Sequence, residues 1–242
     1  MEGAKINPEI DAAAYQLVGG NRILRHIAPL DLDDMIRRAT VIDVDERHEL
    51  FAQDDEGRTL LVVLKGFVKL SSITLGGREA ILDIASPGSV FGELAVLNGW
   101  RRSASAVTLS PCRLLSIDGQ IFIGALLRSP KALLATVRLL SERLRTATEQ
   151  MTDAVDLPAP ARVAKALISL AALHSRPDQD GLRIEFQLSQ RELGGLTGLT
   201  RESINKHLAN FRDAGWIRIS GRDIALVDLP ALKQNLTELT MH

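Results

Sequence analysis

The apolar positions change rhythm several times along the 242 residues. Residues 1–40 read as polar helix, with apolar spots at Ile23, Leu24, Ile27, Leu30, Met35 and Ile36. From about 41 to 118, short β-rich runs take over: Leu60–Leu64, Phe67–Leu70, Ala80–Ile84, Ala104–Leu109 and Arg113–Ile117. Turn residues separate them, at Gly57, Lys65-Gly66, Gly76-Gly77, Pro87-Gly88, Asn98-Gly99 and Ser110-Pro111. Many short strands at regular spacing, with turn chemistry between them, predict an antiparallel barrel or roll.

Residues 130–155 then predict a long helix, opened by Pro130 and free of Gly and Pro until Pro158. Leu133, Val137, Leu140, Leu144, Ala147 and Met151 are spaced 4, 3, 4, 3, 4. That is a heptad seam. Its period near 3.5 favours pairing with a second copy over a single stripe packed on the roll. Asp156-Leu-Pro-Ala-Pro160 must end the helix and re-aim the chain, so it reads as a hinge. A second amphipathic helix follows over Arg162–His174, marked by Val163, Leu167, Leu170 and Leu173, then a short strand over Arg183–Phe186. Near the end, Trp216–Ile219 and Ile224–Val227 flank the turn Ser220-Gly-Arg-Asp223, a hairpin that would form a wing. The expected architecture is α+β in three parts. Residues 1–129 hold N-terminal helices and a β-roll effector domain, 130–156 a dimerisation helix, and 157–242 a winged helix-turn-helix.

Composition adds constraints. Apolar residues make up 45% and charged residues 24%, as in ordinary globular chains. No run of about 18 apolar residues exists, so no membrane partner is expected. MEGAKINPEI lacks the apolar stretch of a secretory signal, and the single cysteine, Cys112, excludes an internal disulfide framework. Both fit a cytoplasmic location. Net charge is −1. Residues 159–242 carry 11 Lys/Arg against 9 Asp/Glu, and the preceding chain 18 against 21. The small surplus has the sign expected of a part that faces phosphate.

The densest local signal is Leu188-Ser-Gln-Arg-Glu-Leu-Gly-Gly-Leu-Thr-Gly-Leu-Thr-Arg-Glu-Ser-Ile-Asn-Lys-His-Leu208. Ser189 with Glu192 three residues on is a capping box. Leu193 and Leu196 read as the buried face of the first helix. Gly194 lets the second helix cross closely, and Gly198 supplies the left-handed turn residue. Thr200 caps the second helix, with Ser203 at its third position. Ile204 and Leu208 anchor that helix, leaving Arg201, Glu202, Asn205 and Lys206 outward. Arg201 suits the O6 and N7 of a guanine, and Glu202 suits a cytosine amino group. Ser189 and Gln190 are placed for phosphate contacts. Double-stranded DNA is the expected partner. A solvated helical hairpin in an interaction domain is the plainer reading, and the caps, turn glycine, polar face and wing in this order argue against it.

A second constellation lies inside the roll. Phe91-Gly-Glu-Leu-Ala-Val-Leu97 follows a Pro-Gly turn, and Arg102-Ser-Ala104 comes nine residues after Glu93. A helical turn near Gly92 would aim backbone N–H groups at an anion, and Arg102 could hold a phosphate bidentately. Glu93 could accept from a ribose hydroxyl. These features describe a pocket for a cyclic nucleotide.

In these motifs, and in their order from about residue 25 to the C-terminus, the chain resembles the Crp/Fnr family of transcription regulators. The most specific matches are FGELAVL and SQRELGGLTGLTRESINKHL. The resemblance implies that Gly92, Glu93 and Leu94 form the ribose and phosphate segment, and that Arg102 and Ser103 form the phosphate clamp. It implies base and backbone contacts from Arg201, Glu202 and Lys206, with Ser203 beside them, on TGTGA-type half-sites. It further implies a homodimer that works with RNA polymerase, with cyclic AMP or cyclic GMP as effector and no covalent cofactor.

The sequence departs from that pattern in places. Cyclic AMP-responsive members offer a Thr-Ser pair from the long helix, and those positions fall here on Ala147 and Thr148. Thr148 is kept as a nucleotide-site residue, and one hydroxyl is missing. Asp54 stands where an early roll turn usually has glycine. Cys112 has no neighbouring His, so it reads as core. His207 reads as a core or phosphate-side residue, and His26, His48, His174 and His242 show no ligand spacing. Two alternatives stay open: a regulator of this family answering to another ligand or to none, and a cyclic-nucleotide-binding regulatory module for an enzyme. No catalytic constellation appears in the chain, so it reads as a non-enzyme.

Overall fold

The computed structural model describes residues 10–179 and 181–240. Residues 1–9, read above as polar helix without a signal pattern, and His242 lie outside them. By compactness the chain forms two units. One takes residues up to Ser72 with Asp83–Leu144; the other takes Ile73–Leu82 with the chain from Arg145.

The first unit opens with α1 (Ala12–Gly20) and α2 (Pro29–Arg38). The Asp11 carboxylate caps α1 by accepting from the Ala14 amide at 2.7 Å. Eight strands follow: β1 (Thr40–Val44), β2 (Glu49–Phe51), β3 (Thr59–Lys65), β4 (Val68–Ile73), β5 (Glu79–Ala85), β6 (Val90–Phe91), β7 (Ser105–Thr108) and β8 (Cys112–Asp118). A short helix, α3 (Glu93–Asn98), interrupts them. The strands form two four-stranded sheets, ordered β1-β8-β3-β6 and β2-β7-β4-β5. This is the expected roll, with β1, β2 and β6 added to the strands read from sequence.

Strand β3 shows why the pattern there is a continuous apolar run rather than an alternation. Leu61 and Val63 point into the roll, against Val68, Phe91, Ala106 and Leu114. Leu60 and Val62 point the other way, into a core shared with Met35, Ile36, Phe122 and Leu126. Successive side chains of a strand face opposite sides, and here both sides are covered. The register with β8 sets Leu60 opposite Ile117 and Val62 opposite Leu115.

Helix α4 (Gly119–Arg128) was not expected from sequence. Asp118 starts it by accepting from the amides of Gln120 and Ile121 at 2.8 and 3.2 Å. Helix α5 (Pro130–Asp156) has the expected length and ends before Pro158. Its seam residues Leu133, Val137, Leu144 and Met151 are 45%, 52%, 70% and 72% exposed in the single chain.

The second unit contains α6 (Ala159–His174), β9 (Ser175–Asp178), β10 (Gly181–Ile184), α7 (Gln190–Thr197), α8 (Arg201–Asp213), β11 (Ile217–Ser220), β12 (Asp223–Leu226) and α9 (Leu229–Thr240). Helix α6 starts three residues earlier than the sequence reading, because Pro160 sits in the first turn, where a missing N–H costs nothing. The strand expected at 183–186 lies two residues earlier, as β10. It joins a sheet ordered β11-β12-β10-β9, so the wing hairpin is braced rather than free. Helix α9, absent from the sequence reading, buries Leu232 completely. Among the described residues, no helix is long and apolar enough to cross a membrane.

Candidate functional site

Two sets of residues carry the chemistry, one in each unit. In the first unit, β6 leads into Gly92 at φ +79°, and α3 begins at the next residue. A Cβ on Gly92 would lie 2.5 Å from Arg102 Nη1, so this position needs glycine for its backbone and for the close approach. Gly57 makes a similar allowance, since a Cβ there would meet Arg102 Cδ at 3.3 Å and Ala95 at 2.2 Å.

Glu93 is completely buried. Its Oε1 accepts from Arg143 Nη1, which reaches in from α5. Arg143 Nη2 donates to the Val90 carbonyl at 3.0 Å and stands 4.0 Å from Asp83 Oδ2. Among the described residues, Glu93 Oε2 is buried with no hydrogen-bond partner. Burial lifts the Glu93 pKa above its ordinary value; Arg143 pulls it back, Asp83 adds to the lift and Arg102 opposes it.

Arg102 is only 5% exposed. Its Nη1 donates to the Gly92 carbonyl at 3.0 Å and its Nη2 to Thr59 Oγ1 at 3.4 Å. The guanidinium lies 4.1 Å from the centre of the Phe51 ring, and Nε has no hydrogen-bond partner among the described residues. Burial lowers its pKa, with Asp55 and Glu93 opposing. The fold therefore brings Gly92, Glu93 and Arg102 together, with Leu94 half-buried next to Glu93 in α3, and Ser103 is exposed beside Arg102. Thr148 lies farther along α5, past Leu144. Arg143 was missed from sequence. The available signal was a basic residue one helical turn before Ala147, on the helix already suspected of facing a ligand. Asp54 adopts φ 69°, the conformation that favours glycine. Cys112 is core: its thiol donates to the Phe67 carbonyl at 3.3 Å, and burial raises its pKa.

In the second unit, the Ser189–Glu192 capping box forms in full. Glu192 N donates to Ser189 Oγ at 3.2 Å, and Ser189 N donates to Glu192 Oε2 at 2.8 Å. The Ser189 hydroxyl also donates to Glu192 Oε2 at 2.7 Å, so its proton is engaged inside the cap. Gly198 ends α7 at φ 69°. Gly194 is needed for the turn more than for the crossing helix, since a Cβ there would meet the Leu199 carbonyl at 2.7 Å. Thr200 caps α8 through the Ser203 amide at 3.2 Å. Ile204, Leu208 and Phe211 are buried, and Leu193 is buried while Leu196 is only half-buried. Arg201, Glu202, Asn205 and Lys206 are exposed together, and Ser203 is half-buried. Arg201 Nε also contacts Gln190 Oε1 at 3.4 Å. His207 is half-buried; burial and then Lys206 lower its pKa.

An open cleft of about 730 Å³ runs between the start of α7, the start of α8 and the wing tip. Arg191, Arg201 and Arg222 line it, with Ser189, Gln190 and Gly221. Arg191 and Arg222 were not singled out from sequence, because only the fold brings the wing turn beside the two helix starts. The arrangement offers a guanidinium-rich surface to phosphate and an exposed helix face to base edges.

A β-roll with a buried carboxylate–guanidinium cradle, joined to a capped helical pair and a wing, defines a DNA-binding regulator with an effector domain. Comparison with known proteins agrees. The cyclic nucleotide-binding domain model matches residues 41–129, and the Crp-like helix-turn-helix domain model matches 161–235. A CRP-like cAMP-activated global transcriptional regulator of Mycobacterium tuberculosis is 31% identical over 206 residues, 85% of this chain and 92% of that protein. A global nitrogen regulator of Synechocystis is 28% identical over 195 residues, 80% and 87% of the two chains. A CRP-family transcriptional regulator from Thermus thermophilus superposes with a TM-score of 0.69 at 25% identity, covering 81% of this chain and 96% of the other. The chain belongs to the Crp/Fnr family of transcription regulators. Its relatives are transcription regulators and not enzymes.

Proposed function

We propose that this regulator works as a homodimer whose β-roll binds a cyclic nucleotide and thereby sets its grip on DNA. The observation that carries the effector reading is Glu93 Oε2, a completely buried acceptor without a donor. Leaving such an atom unsatisfied costs about 1–3 kcal/mol. A ribose hydroxyl would supply the missing donor, and Arg102, next to it, would offer its remaining N–H groups to the cyclic phosphate. Gly92, Leu94 and Ser103 complete that segment, and Thr148 faces the ligand in the family's scheme. The domain bounds follow the same reading: effector domain to 129, dimerisation helix 130–156 and DNA-binding domain from 157.

On the DNA side, Arg201 and Glu202 read base edges, Lys206 and Gln190 hold phosphates, and Ser189 and Ser203 set the two helix starts against the backbone. The exposed α5 seam supports the dimer, which would place two α8 helices on half-sites about 34 Å apart. Regulation requires the nucleotide to bind one dimer state better than the other. Contact with RNA polymerase, in the cytoplasm, would convert DNA occupancy into transcription.

Calorimetry with cyclic AMP and cyclic GMP tests the effector reading; binding of either supports it, and no heat from both contradicts it. A second reading keeps the DNA binding and replaces the nucleotide with another ligand or none. Ala147 favours it, since the hydroxyl that cyclic AMP-responsive relatives offer there is missing.

A further inference from the structure

We propose that Asp83 makes the effector pocket prefer a guanine base, so that cyclic GMP rather than cyclic AMP is the favoured nucleotide. This rests on the nucleotide reading above and deepens it. Three charged groups form a row in the first unit. Glu93 is completely buried, the Arg143 side chain is 28% exposed, and the Asp83 side chain is 51% exposed. The orphaned Glu93 Oε2 fixes the deep end of the row as the place for a donor from the ligand. Asp83, at the open end on β5, is the next acceptor.

Asp83 is not consumed by its neighbours. Its Oδ2 stands 4.0 Å from Arg143 Nη2, beyond hydrogen-bond distance, and that nitrogen already donates to Val90 O at 3.0 Å. Among the described residues, its Oδ1 accepts from the adjacent Ile84 amide alone, at 2.8 Å. An ionised carboxylate can accept but not donate. Guanine presents N1–H and the N2 amino group side by side, two donors for two carboxylate oxygens. Adenine presents an N1 lone pair beside its amino group, so one acceptor would face another. A polar group that must be left unpaired by the wrong ligand discriminates strongly against it.

The charge balance supports the same assignment. A pocket built only to attract a cyclic phosphate would gain from Arg102 and Arg143 and lose from every added carboxylate. Glu93 has the Arg143 ion pair to account for it. Asp83 stands at the edge of ion-pair distance from the same guanidinium, 4.0 Å away and outside hydrogen-bond reach, and a base donor edge gives its oxygens the hydrogen bonds that Arg143 does not.

The test is calorimetric titration of the full chain with cyclic GMP and cyclic AMP, at one salt and one pH, for wild type, Asp83→Ala and Asp83→Asn. Thermal melts confirm that each variant is folded. Wild type is expected to bind cyclic GMP at least about tenfold more tightly. Both variants should bring the ratio near one, chiefly by weakening cyclic GMP. Wild type binding cyclic AMP equally well or better would overturn the proposal. So would an equal gain for both nucleotides in Asp83→Ala, which would assign Asp83 to charge alone. No binding of either nucleotide by wild type would overturn the nucleotide reading itself, and this inference with it.

Discussion

Arg143 donates to a Glu93 carboxylate that has no contact with solvent, and the two residues stand 50 positions apart in the chain. The pair joins α5, the helix with the exposed apolar seam, to the glycine-started turn beneath Arg102. Burial outweighs Arg143 and holds the Glu93 pKa above its ordinary value, so the charged form is less favourable in the fold than in water.

A pH dependence follows. A carboxyl whose folded pKa is raised binds more protons folded than unfolded, so its contribution to stability is fully present below the unfolded pKa. It is lost as pH rises from the ordinary value of 4.5 through the raised folded value. Glu93→Gln should remove that slope. Urea melts without ligand are expected to show the variant gaining on wild type as pH rises through this window, then levelling. A variant that instead loses ground as pH rises would show that the ion pair stabilises.

Gly92→Ala should be costly in two ways. A side chain at φ +79° costs about 1–2 kcal/mol, and the new Cβ would displace Arg102 Nη1. Denaturant midpoints should fall, and nucleotide binding should be lost under conditions where the variant is still folded. Retained binding at wild-type affinity would show that Arg102 need not hold its present place.

Leu144→Lys tests the dimer. Leu144 is 70% exposed in the single chain, so the change should leave each chain folded. Two lysines in a paired seam would repel and lose apolar burial. Sedimentation should show a shift toward monomer, and affinity for a palindromic site should fall with it. A variant that stays as dimeric as wild type would remove α5 from the interface.

Arg201→Ala and Lys206→Ala should fail differently. Loss of Arg201 is expected to cost about 1–3 kcal/mol and relax preference at one guanine. Loss of Lys206 should weaken all sequences alike and reduce the salt slope by about one. Uniform weakening by Arg201→Ala would move Arg201 from base reading to phosphate holding.

The helix pair was legible because its determinants are local. Ser189 reaches Glu192, Thr200 reaches Ser203, and Gly198 closes the turn, each within three residues. The long helix was legible for the same reason, through Pro130, Pro158 and the seam between them. The roll was legible as a class but not strand by strand. Val90–Phe91 is too short to show a period, and β3 shows none because both its faces are buried. Helices α4 and α9 escaped notice because their caps, Asp118 and Asp228, lie in segments without an obvious pattern. Of the proposed effector site, Glu93 and Arg102 stood out through their motif. Arg143 and Asp83 did not, because only the fold brings α5 and β5 to Glu93. The wing arginine, Arg222, was hidden in the same way.

Coupling between the nucleotide cradle and DNA reading is tested most directly by a gel shift of the wild-type protein on a palindromic TGTGA-type site and on unrelated DNA. It is run at one stated salt with no nucleotide, with cyclic AMP and with cyclic GMP. Selective retardation of the palindrome, strengthened by a cyclic nucleotide, is the expected result. Equal binding to both DNAs, or selective binding that neither nucleotide changes, would contradict the coupling of the Glu93–Arg102 cradle to the α8 reading face.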